Sequence, residues 1–180
     1  VLTPGMSPDG LNRYAAWLNN SNSGNQTPDA NSREFHEAWP ISYHNHYWHD
    51  ANRDMLMCQH PEGKNGVRMY LDWMPNVIND HHEQGGTKGL FYSPGDPRRN
   101  YPLIPQRNQE ITAKIGKYTA AILKSIGQPS YSGVKYDDFY LGKNSAYGDV
   151  QGSIGILVEQ VRSGSYVKHW RGGLLDLPMT

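Results

Sequence analysis

The sequence lacks the features that mark several classes of protein. Cys58 is the only cysteine among 180 residues, so no disulfide can form within the chain. Lysine plus arginine and aspartate plus glutamate balance at 17 each, without the basic excess that nucleic-acid-binding proteins usually show. No apolar run approaches the length of a membrane span, and no apolar signal core follows a basic start. These absences argue against nucleic acid and membrane as partners.

Glycine, proline and aromatic residues are abundant instead. The 19 glycines, 12 prolines and 11% aromatics are typical of a fold whose functional site is built from long connections. The length suits one domain with a proper core, and we assign residues 1–180 to a single domain.

Hydrophobic spacing predicts alternating strands and helices. Helical spacing occurs over residues 11–18, 66–74 and 111–122, where Ile111, Ile115, Tyr118 and Ile122 form one apolar stripe. Short strands are expected at residues 1–4, 76–80 and 154–158, and long loops at 85–107 and 129–147. This alternation predicts an α/β fold with a mixed, mostly buried β-sheet flanked by helices.

One short block suits the recognition of a carboxylate. Asn52 and Arg53 follow Asp50, and an arginine fork binds a free carboxylate through two hydrogen bonds while a neighbouring amide adds a third. This pair therefore suits the binding of a free carboxylate on a ligand. The alternative is a structural arginine that pairs with Asp50 or Asp54.

Two further blocks carry acid–base and metal chemistry. His82 follows the strand predicted at 76–80, where a neutral imidazole is a good metal ligand that Asp80 can orient. Glu159 ends the apolar strand 154–158, and desolvation there raises the pKa of a carboxyl group, which suits a general base. The alternatives are a structural histidine and a solvated glutamate at the end of the strand.

In this order, the three blocks resemble the zinc metallocarboxypeptidase family, the carboxypeptidase A-like group. The resemblance implies a carboxypeptidase-like fold, zinc as cofactor and a peptide as substrate. It implies that His82 is a zinc ligand, that Asn52 and Arg53 bind the terminal carboxylate, and that Glu159 is the general base. Two more assignments rest on the same resemblance: Tyr140, with Tyr147 as the second candidate, as a mobile catalytic tyrosine, and Arg13 as a substrate-binding arginine after the turn at residues 7–10.

The chain departs from the family in one respect, since no His-x-x-Glu motif occurs in it. The resemblance therefore implies the later part of a catalytic domain, with two zinc ligands on a missing N-terminal segment or a companion chain. The start of the chain at Val1, within a predicted strand, agrees with that expectation. A secreted or periplasmic location is expected for a protein of this kind.

Two alternative functions stay open from the residues alone. His44, His46 and His49 offer an internal set of ligands for a different metallohydrolase or a nuclease. The other alternative is a carboxypeptidase-like binding module that holds peptide ends without zinc and without catalysis.

Overall fold

The structure, a computed structural model, describes residues 2, 3, 5–22, 24, 29, 31–84 and 89–161. Its helices are α1 (Pro8–Ser21), α2 (Pro61–Trp73), α3 (Gln106–Ser125) and α4 (Asn144–Val150). Its strands are β1 (Val77–Gln84), β2 (Leu90–Tyr92), β3 (Ser130–Tyr131) and β4 (Ile154–Val161). Three 3₁₀ turns lie at Arg33–Phe35, Ala51–Arg53 and Pro97–Arg99. None of the helices within these ranges combines the length and the apolar character needed to cross a bilayer.

The four strands form one mixed sheet in the order β1-β4-β2-β3. Strand β4 pairs in parallel with β1 and antiparallel with β2, and β2 pairs in parallel with β3. Helices α3 and α4 both pack against β4. The predicted fold class, α/β with a mixed sheet flanked by helices, is confirmed.

Burial is uneven across the sheet. The apolar run that begins β4 is buried from Ile154 to Leu157, as the sequence predicts for this strand. Strand β1 lies at an edge of the sheet, and its residues alternate between exposed and half-buried. The strand predicted at residues 76–80 therefore exists, but it is longer and more exposed than expected because only β4 pairs with it in the described residues.

The two faces of the sheet carry different helices. Ile78 and Gly155 are register partners on one face, where the side chain of Ile78 lies against Gly148 of α4. A Cβ atom on Gly155 would lie 2.1 Å from the carbonyl oxygen of Ser145, so α4 approaches the sheet more closely than any side chain there would allow. Gly116 of α3 lies against Tyr92. The register partner of Tyr92 is Val158, which points to the face opposite Gly155, so α3 lies on that other face of the sheet.

Helix α3 is confirmed, but its apolar stripe is not the face that it buries. Tyr118 is 75% exposed and Ile122 is 62% exposed. The buried positions are Asn108, Thr112 and Gly116, spaced four residues apart. Small and polar side chains bury here because α3 lies close against the backbone of the 92–94 segment and hydrogen-bonds to the end of α4.

Helix α2 begins at Pro61, whose fixed φ suits the first turn, and is followed by Met74 in a left-handed conformation and then Pro75. Its buried side packs Tyr70 against Met55 and Tyr147, with Val67 and Ile78 alongside. This cluster joins α2, α4 and β1 into the core that supports the site.

Three predictions about local structure are corrected. Helix α4 lies partly within the segment 129–147, predicted as a loop, because packing of Ala146 and Tyr147 against the core outweighs the glycine-rich composition. The segment 85–107 contains β2 and a 3₁₀ turn, not only a connection. In the strand predicted at residues 1–4, only residues 2 and 3 are described, and neither is in a strand.

Candidate functional site

Strands β1 and β4 place His82 and Glu159 side by side. The two residues are register partners in a parallel pair, and directly opposed residues of a sheet point to the same face. This is the face that α4 covers. The side chains of His82 and Glu159 therefore share one face of the sheet.

Asn52 reaches the same place from the 3₁₀ turn Ala51–Arg53. Asp50 caps this turn, since its Oδ1 accepts a hydrogen bond of 2.9 Å from the backbone N–H of Asn52. The Oδ1 atom of Asn52 accepts from the backbone N–H of Asn144 at 2.9 Å, and its Nδ2 atom lies 3.0 Å from Nε2 of His82. Because the oxygen is taken by an N–H group, the amide NH₂ must face the imidazole ring.

The carboxylate of Asp80 contacts the same ring nitrogen of His82. Its Oδ2 atom is 2.9 Å from Nε2 of His82, is buried and receives no hydrogen bond from the described residues. Burial of the ring lowers the pKa of His82, but the carboxylates of Asp80, Glu159 and Asp50 raise it by more, so the net shift is upward. The amide of Asn52 thus favours the unprotonated form of this nitrogen atom, whereas the carboxylate of Asp80 favours the protonated form.

Glu159 is half-buried, and this burial is the largest effect on its carboxyl group. Desolvation raises the pKa of Glu159, while the positive charges of His82 and Lys135 oppose the rise. The direction agrees with the expectation from the end of an apolar strand. The role of Glu159 as a general base stays a prediction.

Arg53 is accessible beside this cluster. Its side chain is 46% exposed, its NH1 group donates to the carbonyl of Asn52 at 2.7 Å, and it lies 3.5 Å from Asp50. Asp54 is wholly buried and accepts hydrogen bonds from the backbone N–H groups of Gln59 and His60 before α2. Of the two predicted partners, Arg53 therefore pairs with Asp50, and this exposed contact leaves its guanidinium open to solvent.

Tyr140 and Arg13 have different positions relative to these residues. The hydroxyl of Tyr140 donates to the carbonyl of Arg53 at 3.0 Å, so Tyr140 lies at the segment predicted to bind a carboxylate, and its catalytic role stays a prediction. Arg13 donates to the carbonyls of Ile41 and His44, and its guanidinium lies 4.8 Å from the ring centre of Trp48. Those contacts hold the segment 41–48 in place, and substrate binding by Arg13 stays a prediction.

The alternative ligand set of three histidines does not converge. His44 packs on Tyr43, His46 meets Tyr47 edge-on, and His49 stacks on His60 with 4.2 Å between ring centres. The part of the chain that the structure describes contains no group of three His, Cys, Asp or Glu side chains placed to hold a metal ion. The three histidines are part of an aromatic packing layer, so this alternative has no structural support.

The same criterion applies to zinc at His82. An imidazole and the buried carboxylate of Asp80 are suitable donor types, but catalytic zinc normally takes three protein ligands. The described residues do not bring three such ligands together. They do not by themselves fit a complete zinc site.

Sequence analysis missed a second polar cluster next to Glu159. The Oε1 atom of Gln84 accepts from the hydroxyls of Tyr131 and Tyr136 at 2.6 and 2.8 Å and from the ammonium of Lys135 at 3.0 Å. The NH₂ group of Gln84 donates to the carbonyl oxygen of Glu159. Only the abundance of tyrosine in the segment 129–147 hinted at this arrangement, since the contacts span 47 to 52 positions.

An open cavity of about 750 Å³ runs along β1 and reaches the site. Residues 2, 3, 5 and 6, helix α2 and strand β1 form its walls, with Met55, Met69 and Trp73 as apolar lining. Asn52 and His82 lie on its wall. The site therefore opens toward the free edge of the sheet.

Comparisons with known proteins assign no family. No family model matches the chain, and no characterised protein matches it. A solved structure described as a metallo-carboxypeptidase from Burkholderia cenocepacia is similar, with a TM-score of 0.46 and 15% identity. The match covers 85% of this chain and 42% of that one, so the chain spans less than half the length of that protein. A likeness of this degree does not assign an activity.

Proposed function

We propose that the protein is a hydrolase of the metallocarboxypeptidase type, which removes the C-terminal residue of a peptide. The observation that carries this proposal is the meeting of three predicted residues at one place. Asn52 lies 3.0 Å from His82, and Glu159 lies beside His82 on the adjacent strand. An amide and an imidazole on one cavity wall, with a desolvated carboxylate beside them on the adjacent strand, are the parts that such a site requires.

The terminal carboxylate of the substrate would bind Arg53. The guanidinium is accessible and offers a planar fork of donors, and among the described residues its ion pair is with Asp50, at 3.5 Å across an exposed contact. The second N–H of the Asn52 amide is available to the same carboxylate, because one N–H faces His82. The hydroxyl of Tyr140 fixes the backbone of Arg53 and so positions this clamp.

Glu159 would take a proton from the attacking water and return it to the departing amine. A carboxyl group with a raised pKa holds a proton more readily than an exposed one, which suits both halves of this transfer. The charges of His82 and Lys135 limit the rise, so the group is still able to ionise.

Zinc is the metal that the resemblance implies, and His82 is the residue that we assign to it. Two further ligands are needed, and a segment outside the described residues or a companion chain would bring them. The free edge of β1 and the cavity beside it are where such a segment has room. A domain that binds peptide ends without zinc or catalysis is the competing function.

The test combines zinc content with hydrolysis of an N-blocked dipeptide that has a free or an amidated C-terminus. The 180-residue chain alone should hold no zinc tightly and show no hydrolysis, and addition of a segment or companion chain that carries two further ligands should restore both. In the complete protein, His82→Ala should lower zinc content, and Glu159→Gln should abolish hydrolysis while the peptide still binds.

His81→Ala is the matched control, because His81 is exposed and points to the opposite face of β1. It should change neither readout. Peptide binding without zinc or hydrolysis in the complete protein would favour the binding module. Activity of the 180 residues alone, abolished by a chelator, would show that the metal lies elsewhere.

A further inference from the structure

A lysine lies beside the predicted general base without an anionic partner. The ammonium of Lys135 is 3.0 Å from Oε1 of Gln84 and 4.7 Å from the ring centre of Tyr136. Both contacts are with neutral groups. No carboxylate of the described residues lies within 4.0 Å of this ammonium.

Two other cations of the same region share one carboxylate. Lys143 lies 2.8 Å from a carboxylate oxygen of Asp137, and Arg99 lies 3.4 Å from the same atom. Lys135 is close enough to Glu159 for its charge to lower the pKa of that carboxyl group. Within the described residues Lys135 thus has no ion pair, and its positive charge lies near Glu159 of the proposed reaction.

The contact with Gln84 is one that Lys135 can give up. A carbonyl oxygen has two lone pairs, and Oε1 of Gln84 already has two tyrosine hydroxyls at 2.6 and 2.8 Å. Lys135 is the third donor and the most distant of the three. Its ammonium has three N–H groups, so at least two are available to a ligand even in this arrangement.

The backbone holds Lys135 at this place. Its φ is 73°, a left-handed conformation that is uncommon for a residue with a long side chain. The surrounding loop is tied down by hydrogen bonds from the N–H of Gly133 to the carbonyl of Pro94 and from the N–H of Asp96 to the carbonyl of Tyr136. Unfavourable backbone conformations persist only where neighbouring contacts impose them, and they are concentrated at functional sites.

We propose that Lys135 binds a second carboxylate of the substrate, so that the site takes peptides with an acidic side chain next to the cleaved bond. This inference rests on the proposed function. Asn52 and Arg53 approach His82 from one side, while Lys135 lies on Gln84, at the end of β1 and beside Glu159. The two cations therefore provide separate positions for the terminal carboxylate and for a side-chain carboxylate, on the terminal residue or on the one before it.

The experiment measures equilibrium binding to the 180-residue chain, in which turnover is not expected to interfere. One pair of probes is N-acetyl-alanyl-glutamate and N-acetyl-alanyl-glutamine, which differ only in the charge of the terminal side chain. The other pair, N-acetyl-glutamyl-alanine and N-acetyl-glutaminyl-alanine, moves that difference one residue back. Titration calorimetry or NMR titration gives the dissociation constant of each probe.

The acidic probe of one pair should bind about three- to tenfold more tightly than its neutral partner, as a partly exposed charged hydrogen bond allows. Lys135→Met should remove this preference and leave the affinity of the neutral probe unchanged. Lys117→Met, at an exposed position of α3, is the matched control and should keep the preference.

If Lys135→Met lowered the affinity for the acidic and the neutral probe equally, the proposal would be overturned, because Lys135 would then only shape the loop. The absence of any preference in the unaltered chain, or of any binding, would overturn it as well. Failure of the proposed hydrolysis gives a different pattern: the charge preference is present and depends on Lys135, but the complete protein does not cleave these peptides.

Discussion

The side-chain amide of Asn52 lies 3.0 Å from Nε2 of His82, and the two residues are 30 positions apart in the sequence. The backbone N–H of Asn144 fixes the orientation of that amide, so its NH₂ group faces the ring. An N–H donor that faces a ring nitrogen favours the unprotonated form of that nitrogen. Asp80, 2.9 Å from the same atom, favours the protonated form.

Asn52→Ala should therefore raise the pKa of His82. The substitution removes the donor that opposes protonation and also lets water reach the ring, and both effects favour the imidazolium. An NMR titration of the His82 ring protons measures the change. Asn144→Ala is the control, since Asn144 contacts Asn52 through its backbone N–H, and it should leave the titration of His82 nearly unchanged. A lower pKa in Asn52→Ala would mean that the amide stabilises the charged ring.

Arg53→Lys in the complete protein should lower kcat/KM for substrates with a free C-terminus more than for amidated substrates. An ammonium is a point charge and cannot reproduce the two parallel hydrogen bonds of the guanidinium fork. The expected loss in kcat/KM corresponds to about 1–3 kcal/mol for the free peptide. Kinetics on a matched pair of free and amidated peptides measures it. An equal loss on both would indicate that Arg53 acts through its contact with Asp50 instead.

Asp138→Asn should stabilise the fold at neutral pH. Burial, together with the charge of Asp149, raises the pKa of Asp138 to about 6. Because the folded-state pKa lies above the unfolded value of 3.8, ionisation costs stability as the pH rises from about 4 to about 6. The asparagine variant avoids this cost, which is about 1–3 kcal/mol. Urea denaturation should show a larger free energy of unfolding for Asp138→Asn than for the unaltered protein at pH 7.5, and no difference at pH 4.

The adjacent Asp137→Asn is a control of opposite sign. Burial raises the pKa of Asp137, but the hydrogen bond and charge of Lys143 lower it by more, so the net shift is downward. A carboxylate with a lowered pKa stabilises the fold above its unfolded pKa and loses this effect as the pH falls. Asp137→Asn should therefore destabilise the protein at pH 7.5. If both variants changed the stability at pH 7.5 in the same direction, the burial assigned to Asp138 and the pairing assigned to Asp137 would be contradicted.

Asn108→Ala should destabilise the protein by about 1–3 kcal/mol, the cost of leaving buried polar groups without partners. The amide of Asn108 donates to the carboxylate and the carbonyl of Asp149 and to the carbonyl of Ser153, and so ties α3 to the end of α4 and the start of β4. Thermal or urea denaturation measures the loss. Gln106→Ala, in the first turn of the same helix and exposed, should change the stability little.

Local pattern was enough to predict most of the regular structure. The helical spacing near residues 66–74 and 111–122 and the apolar run at 154–158 correspond to α2, α3 and β4. Helix α4 was missed because its seven residues are too few for a periodic pattern and contain a glycine. The buried face of α3 was missed for a different reason, since a close approach to the backbone selected small and polar residues there.

The sequence by itself also determined which residue types stand at the site. The pair Asn52-Arg53, His82 near the end of a strand and Glu159 at the end of an apolar run are local features, because neighbouring residues fix the strand or turn that carries them. What only the tertiary structure decided is how they meet. The register that opposes His82 to Glu159, the contact of Asn52 with the ring and the position of Lys135 on Gln84 all join distant segments. Such contacts depend on sheet pairing and on the packing of α4, which no spacing along the chain encodes.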